Sequence, residues 1–172
     1  MSDENGENTI YGVAVVVIKD GQVIMSRRTE TVVIPKKWQF VHGRLKRGEL
    51  SIEAAIRLVY DQMDIAINDK MRFKFVNSVQ PNDKELYFVY LVNLNKDEVP
   101  INTCDRFRGD WRVFDLDKAA VLDVIDGIRP ILRKLLKTKL KYEVYKQTAM
   151  GVLTEREART LAKLGPKMTR LI

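Results

Sequence analysis

The residues with most chemistry to offer lie close together in the chain. His42, the only histidine, leads into Gly43, Arg44, Lys46, Arg47, Gly48 and Glu49, a loop dense in glycine and base. An imidazole in such a place can serve as an acid, a base or a phosphate contact, and guanidinium and ammonium groups suit phosphate oxygens. With Arg27, Arg28, Lys36 and Lys37 upstream, these cations are expected to form a positive rim that attracts a polyphosphate or an RNA end without a metal. The plainer alternative is a packed histidine and a solvated basic surface with no ligand.

The elements that must hold these groups can be read from periodicity and turn residues. Residues 11–18 are a β-branched run closed by Asp20-Gly21, and residues 22–26 resume as the second strand of a hairpin. Residues 38–41 read as a short strand that breaks at His42-Gly43. Ser51 is the expected N-cap of a helix to about Met63, with Glu53 in its first turn. Residues 71–79 and 85–94 read as strands joined by a turn at Pro81-Asn82-Asp83, and residues 111–114 as a last strand. An amphipathic basic helix is expected over 128–142, and a second over about 154–164 behind the capping-box pattern Thr154 to Glu157. This order suits an α+β plan with a mixed sheet.

Composition bounds the rest. The chain has 172 residues, 45% hydrophobic and 31% charged, enough for one domain and an appendage, and unlike a fibrous or disordered chain. A single cysteine, Cys104, excludes an internal disulfide and a cysteine zinc cluster. The longest apolar run, residues 13–18, is strand-sized, so no membrane span is expected. Residues 1–8 are polar and acidic, unlike a secretory signal, and are expected to be flexible in a soluble cytoplasmic protein. The net charge of +7 is uneven: residues 127–172 carry 12 Lys and Arg against 3 Asp and Glu, leaving 18 against 20 in residues 1–126. Such asymmetry is the footprint of a phosphate-rich partner, nucleic acid before anionic lipid.

The stretch from Trp38 to Glu49, followed by Ala54-Ala55-Ile56-Arg57, resembles the Nudix hydrolases, whose box reads G-x5-E-x7-R-E-U-x-E-E-x-G-U with U aliphatic. Gly43, Glu49, Arg57, Val59 and Ile65 fall at matching positions. The resemblance covers about residues 9–137 and implies an α/β/α sandwich with a mixed sheet; the basic helical extension expected over 138–172 lies outside it and rests on charge and periodicity alone. The resemblance also implies Mg²⁺ or Mn²⁺ held by three helix glutamates, which align here with Leu58, Asp61 and Gln62. Glu49 and Asp61 are then the remaining candidates for catalysis and metal, with Asp105 or Asp110 as an added acid. Gly43 and Arg57, the latter paired with Glu49, would brace the loop. Arg27, Arg44, Lys46, Arg47 and His42 are the expected ligand contacts, Trp38 and Trp111 core residues, and Phe107 and Tyr87 neighbours of a base pocket. Asp64 stands where the box ends in glycine, a position that aspartate tolerates better than most residues. The expected function is binding of a nucleotide or RNA phosphate with little or no hydrolysis. The alternatives are a divergent metal-dependent pyrophosphohydrolase and a regulatory subunit that docks on a protein through residues 127–172.

Overall fold

The computed structural model describes residues 9–30, 34–101 and 108–149, with side chains in the last helix described as far as Lys139. The β-branched run becomes β1 (Ile10–Lys19), at the centre of the sheet and buried on both faces. Asp20 and Gly21 both take positive φ, the backbone that a tight hairpin turn demands, and return the chain as β2 (Gln22–Arg28). Then come β3 (Trp38–Gln39), β4 (Val41–Arg44), α1 (Ser51–Met63), a 3₁₀ turn at Lys70–Arg72, β5 (Lys74–Asn82), β6 (Glu85–Asn93), β7 (Arg108–Phe114), the short α2 (Leu116–Ala119) and α3 (Ile128–Ala149). The sheet runs β3-β2-β1-β6-β5, with β4 also on β1 and β7 also on β2. β1 and β6 are parallel and the other named pairs antiparallel.

Alternation along β1 separates two cores. Val13, Val15 and Val17 pack with α1 residues Ala55, Leu58, Val59 and Met63. Ala14 and Val16 face the opposite way, with Met25, Phe40, Val89 and the α3 residues Ile128, Ile131, Leu132 and Leu136. The result is the expected α/β/α sandwich around a mixed sheet.

Several boundaries differ from the sequence reading. His42 and Gly43 do not break a strand; they lie inside β4, paired with Ala14 and Val13 of β1, because the gap falls at Phe40. The N-cap of α1 is Leu50, not Ser51. Glu53 still reaches back to the Leu50 amide at 3.2 Å, and the Ser51 hydroxyl instead shares a 2.7 Å hydrogen bond with the Tyr90 hydroxyl. Residues 70–72 form a 3₁₀ turn rather than strand, and β5 continues through Pro81, which an edge strand tolerates. α3 runs across residue 137 to Ala149 without a break. The helix expected over 154–164, the N-terminal eight residues, Asp105 and Phe107 lie outside the described residues.

Candidate functional site

α1 and the loop before it are locked by one ion pair. Arg57 donates through Nε to Glu49 Oε1 at 2.6 Å and through Nη2 to Glu49 Oε2 at 2.9 Å, the two-pronged geometry that guanidinium favours. Nη2 also reaches the Arg44 carbonyl at 3.2 Å, and Glu49 Oε2 accepts from the Lys46 amide at 2.9 Å. The Arg57 hydrogen bonds, above all, hold the Glu49 carboxyl down at about 2. Both Glu49 oxygens are thus committed to tying residues 44–49 against the helix.

The helix face at 58, 61 and 62 is engaged with the protein itself. Leu58 is buried against Gly43, where an added Cβ would lie 2.5 Å from Leu58 Cδ2. Gln62 donates from Nε2 to the His42 carbonyl at 2.8 Å, and its main-chain carbonyl accepts from the Trp111 indole at 3.0 Å. Asp61 is half exposed, with Oδ2 3.5 Å from Arg57 Nη1. Asp110 lies exposed on β7. Among the described residues, no group of three or more His, Cys, Asp or Glu side chains converges as metal ligands would. Asp64 closes α1 at φ 58, its amide bonded to the Tyr60 carbonyl at 2.8 Å, so aspartate does occupy the left-handed cap.

On the other side of the sheet lies a cavity of about 570 Å³. His42, Arg44 and Ala14 share this face, and the cavity is also lined by Arg28, Tyr87 and the start of α3. Burial holds His42 below its usual pKa, so it is neutral near pH 7. Its Nδ1 lies 3.2 Å from the Phe40 carbonyl; since a carbonyl only accepts, Nδ1 carries the proton and Nε2 is left as an acceptor. The Tyr87 ring lies directly on Gly12, where any Cβ would collide with it.

The cations expected to form one rim are dispersed. Arg28 and Arg44 line the cavity. Arg27 does not, and spends its Nε on the Lys36 carbonyl at 2.8 Å. Lys36 pairs with Glu30 and Lys37 with Asp123, while Lys46 and Arg47 are exposed on the loop that leads to α1. Trp38 packs edge-on against Phe114, and Trp111 is buried in the α1-side core, as expected of core residues. The cavity residues Asn82, Glu85 and Asp126 carry no sequence signal of a site, because they come from the end of β5, the start of β6 and the entry to α3.

The family model for the NUDIX domain matches residues 9–136. The chain belongs to the NUDIX family. Solved structures agree in fold. A MutT of Aliivibrio salmonicida and Vibrio cholerae is 15% identical with TM-score 0.62, over 76% of this chain and 98% of that one. A MutT NUDIX hydrolase from Burkholderia pseudomallei is 17% identical with TM-score 0.57, over 72% and 95%. A bifunctional NMN adenylyltransferase/ADP ribose pyrophosphatase from Francisella tularensis, complexed with AMP and Mn, is 17% identical with TM-score 0.63, over 76% of this chain and 42% of that one. Comparison with curated proteins finds no sequence match. In this NUDIX domain the box helix packs on one face of the sheet and the arginine-lined cavity opens on the other, with β4 serving both.

Proposed function

We propose that this NUDIX domain binds a nucleotide, or the phosphate-bearing end of an RNA, in the cavity between the sheet and α3, with little or no hydrolysis. The observation that carries the reading is that the box-helix face is closed by the protein's own groups, Gln62 amide on His42 carbonyl, while the cavity behind it stays open. A carboxylate at position 62 would set two oxygens against each other and call for a cation between them; an amide closes the gap with a hydrogen bond. Leu58 cannot ligate or accept a proton, and both Glu49 oxygens are held by Arg57 and the Lys46 amide. Of the box acids among the described residues Asp61 alone remains, beside a guanidinium, and one carboxylate does not fit the site of a Mg²⁺ or Mn²⁺ that must also hold a diphosphate.

The cavity supplies what binding needs. Its size lies within the ordinary range for small-ligand sites. Arg28 and Arg44 carry charge for phosphate, His42 Nε2 is an acceptor, and Tyr87 offers a ring. The test is a phosphate-release panel over nucleoside triphosphates, nucleotide sugars, dinucleotides and capped RNA with Mg²⁺ and with Mn²⁺, beside calorimetric binding of the same ligands. Binding without turnover is the expected result, weakened at least tenfold by Arg44→Ala. Turnover abolished by Asp61→Asn would replace this reading with a metal-dependent pyrophosphohydrolase.

A further inference from the structure

On the α1 side, the helix leaves part of the sheet uncovered, and that part is aromatic. Tyr11 of β1 and Phe88 of β6 lie with their rings 6.5 Å apart and nearly parallel, at 13°. Two residues along β6, Tyr90 meets Phe75 of the edge strand β5 edge-on at 5.7 Å. The four rings share one face, because Tyr11 alternates with the core residues Val13 and Val15, whose partners on β6 are Phe88 and Tyr90. Tyr90 sits under the first turn of α1, tied to Ser51. Beyond that turn the outer rings meet solvent: Phe75 is 59% exposed and Tyr11 47%, with Leu50 beside the helix start at 61%. A packed core has no use for rings so placed.

The border of this face is basic. The Leu45 amide donates to the Tyr11 carbonyl at 2.9 Å, so the exposed Lys46 and Arg47 leave the sheet beside the Tyr11 end. The Ile10 amide donates to the Lys84 carbonyl at 2.7 Å, which sets exposed Lys84 on the adjoining turn. Among the described acids of this border, Glu49 is engaged with Arg57, Glu53 with Lys70 and Glu85 with Asn82, while exposed Asp83 adjoins Lys84. Flat rings across adjacent strands, edged by cations, are what unpaired bases and their phosphates require.

We infer that this face is a stacking platform for single-stranded nucleic acid, with bases on Tyr11, Phe88 and Phe75 and phosphates along Lys46, Arg47 and Lys84. A duplex cannot use it, since its bases are already stacked on each other. The inference does not depend on what fills the cavity across the sheet, where the free-nucleotide reading is tested separately.

The experiment is fluorescence anisotropy of the full chain with labelled oligouridylate, oligodeoxythymidylate and a duplex of equal length. Both single strands should bind and the duplex much more weakly; whichever strand binds tighter identifies the natural source. Tyr11→Ala and Phe75→Ala should each weaken binding by roughly 5- to 100-fold, while the ring-preserving Phe75→Trp keeps it. The double substitution Lys46→Gln with Arg47→Gln should flatten the dependence on salt. Phe75, the most exposed ring of this face, is also replaced by Ser, so that the test survives if an alanine variant does not fold. Unchanged single-strand affinity in folded Phe75→Ser and Tyr11→Ala proteins, equal affinity for duplex, or no binding by the wild-type chain overturns the inference. None of these variants should alter mononucleotide binding, so failure here is distinguishable from failure of the cavity reading.

Discussion

At the scale of single residues, the distinction between amide and carboxylate at position 62 bears most on function. Gln62→Glu would turn the 2.8 Å donor–acceptor contact with the His42 carbonyl into two facing oxygens. The expected cost is about 1–3 kcal/mol of stability, partly recovered by millimolar Mn²⁺, which can lie between them. Thermal melts of wild type and variant with and without Mn²⁺ decide it: equal stability of the two proteins without metal would remove the contact from the argument. Leu58 illustrates the same point in steric terms, because it fills the space over Gly43 that an extended carboxylate would need. The sequence exposed these substitutions through the box spacing, but not where the replaced side chains went. A hydrogen bond from Gln62 to a carbonyl twenty positions away depends on how β4 meets α1, which no local pattern encodes.

At the scale of elements, the loop of residues 44–49 and α1 behave as one unit because of Glu49 and Arg57. The folded Glu49 carboxyl sits at about 2, below its ordinary 4.5, so its stabilisation is complete above about pH 4.5 and is lost as pH falls toward 2. Glu49→Gln should cost about 1.5–3 kcal/mol at neutral pH and flatten the decline of stability across that acid range, as followed by urea unfolding between pH 2 and 6. A parallel acid profile in the variant would mean that other carboxylates govern it. Most elements were legible because their signals are local: the Asp20-Gly21 turn, the double-faced β1 run and the amphipathic periods of α1 and α3. The misplaced boundaries have tertiary causes. Ser51 found Tyr90 rather than a free helix amide, and Pro81 stayed in β5 because its side of that strand has no neighbour among the described residues.

At the scale of the whole molecule, charge and shape divide the work. The described NUDIX domain shows no helix long and apolar enough to cross a membrane, and the net positive charge comes from residues 127–172. A mononucleotide held by Arg28 and Arg44 touches few cations, whereas a polymer can also engage the C-terminal segment. Raising salt from about 50 to 200 mM should therefore weaken polymer binding by one to several orders of magnitude, and mononucleotide binding far less. Calorimetry across that range tests the division, and equal salt slopes for the two ligands would argue for a single shared surface. The charge asymmetry was visible in composition alone, while the separation of cavity and aromatic face required the sheet to be seen from both sides.

The parallel pairing of β1 with β6 also sets the order in which the chain can become itself. Ile10 pairs with Glu85, 85 − 10 = 75 positions later, so the middle of the sheet waits until everything between them has been brought round. Contacts so distant in sequence slow folding, because chain entropy is lost well before they form. During synthesis the run Val13 to Ile18 emerges long before its partner on β6, and although β2 and β4 can pair its other edge, the edge meant for β6 stays open to the wrong neighbours until then. Its early hairpin with β2, closed by Asp20 and Gly21, covers only Val17 to Lys19. The segment that carries the box helix is thus also the span that a nascent chain must complete before its most aggregation-prone strand is sheltered.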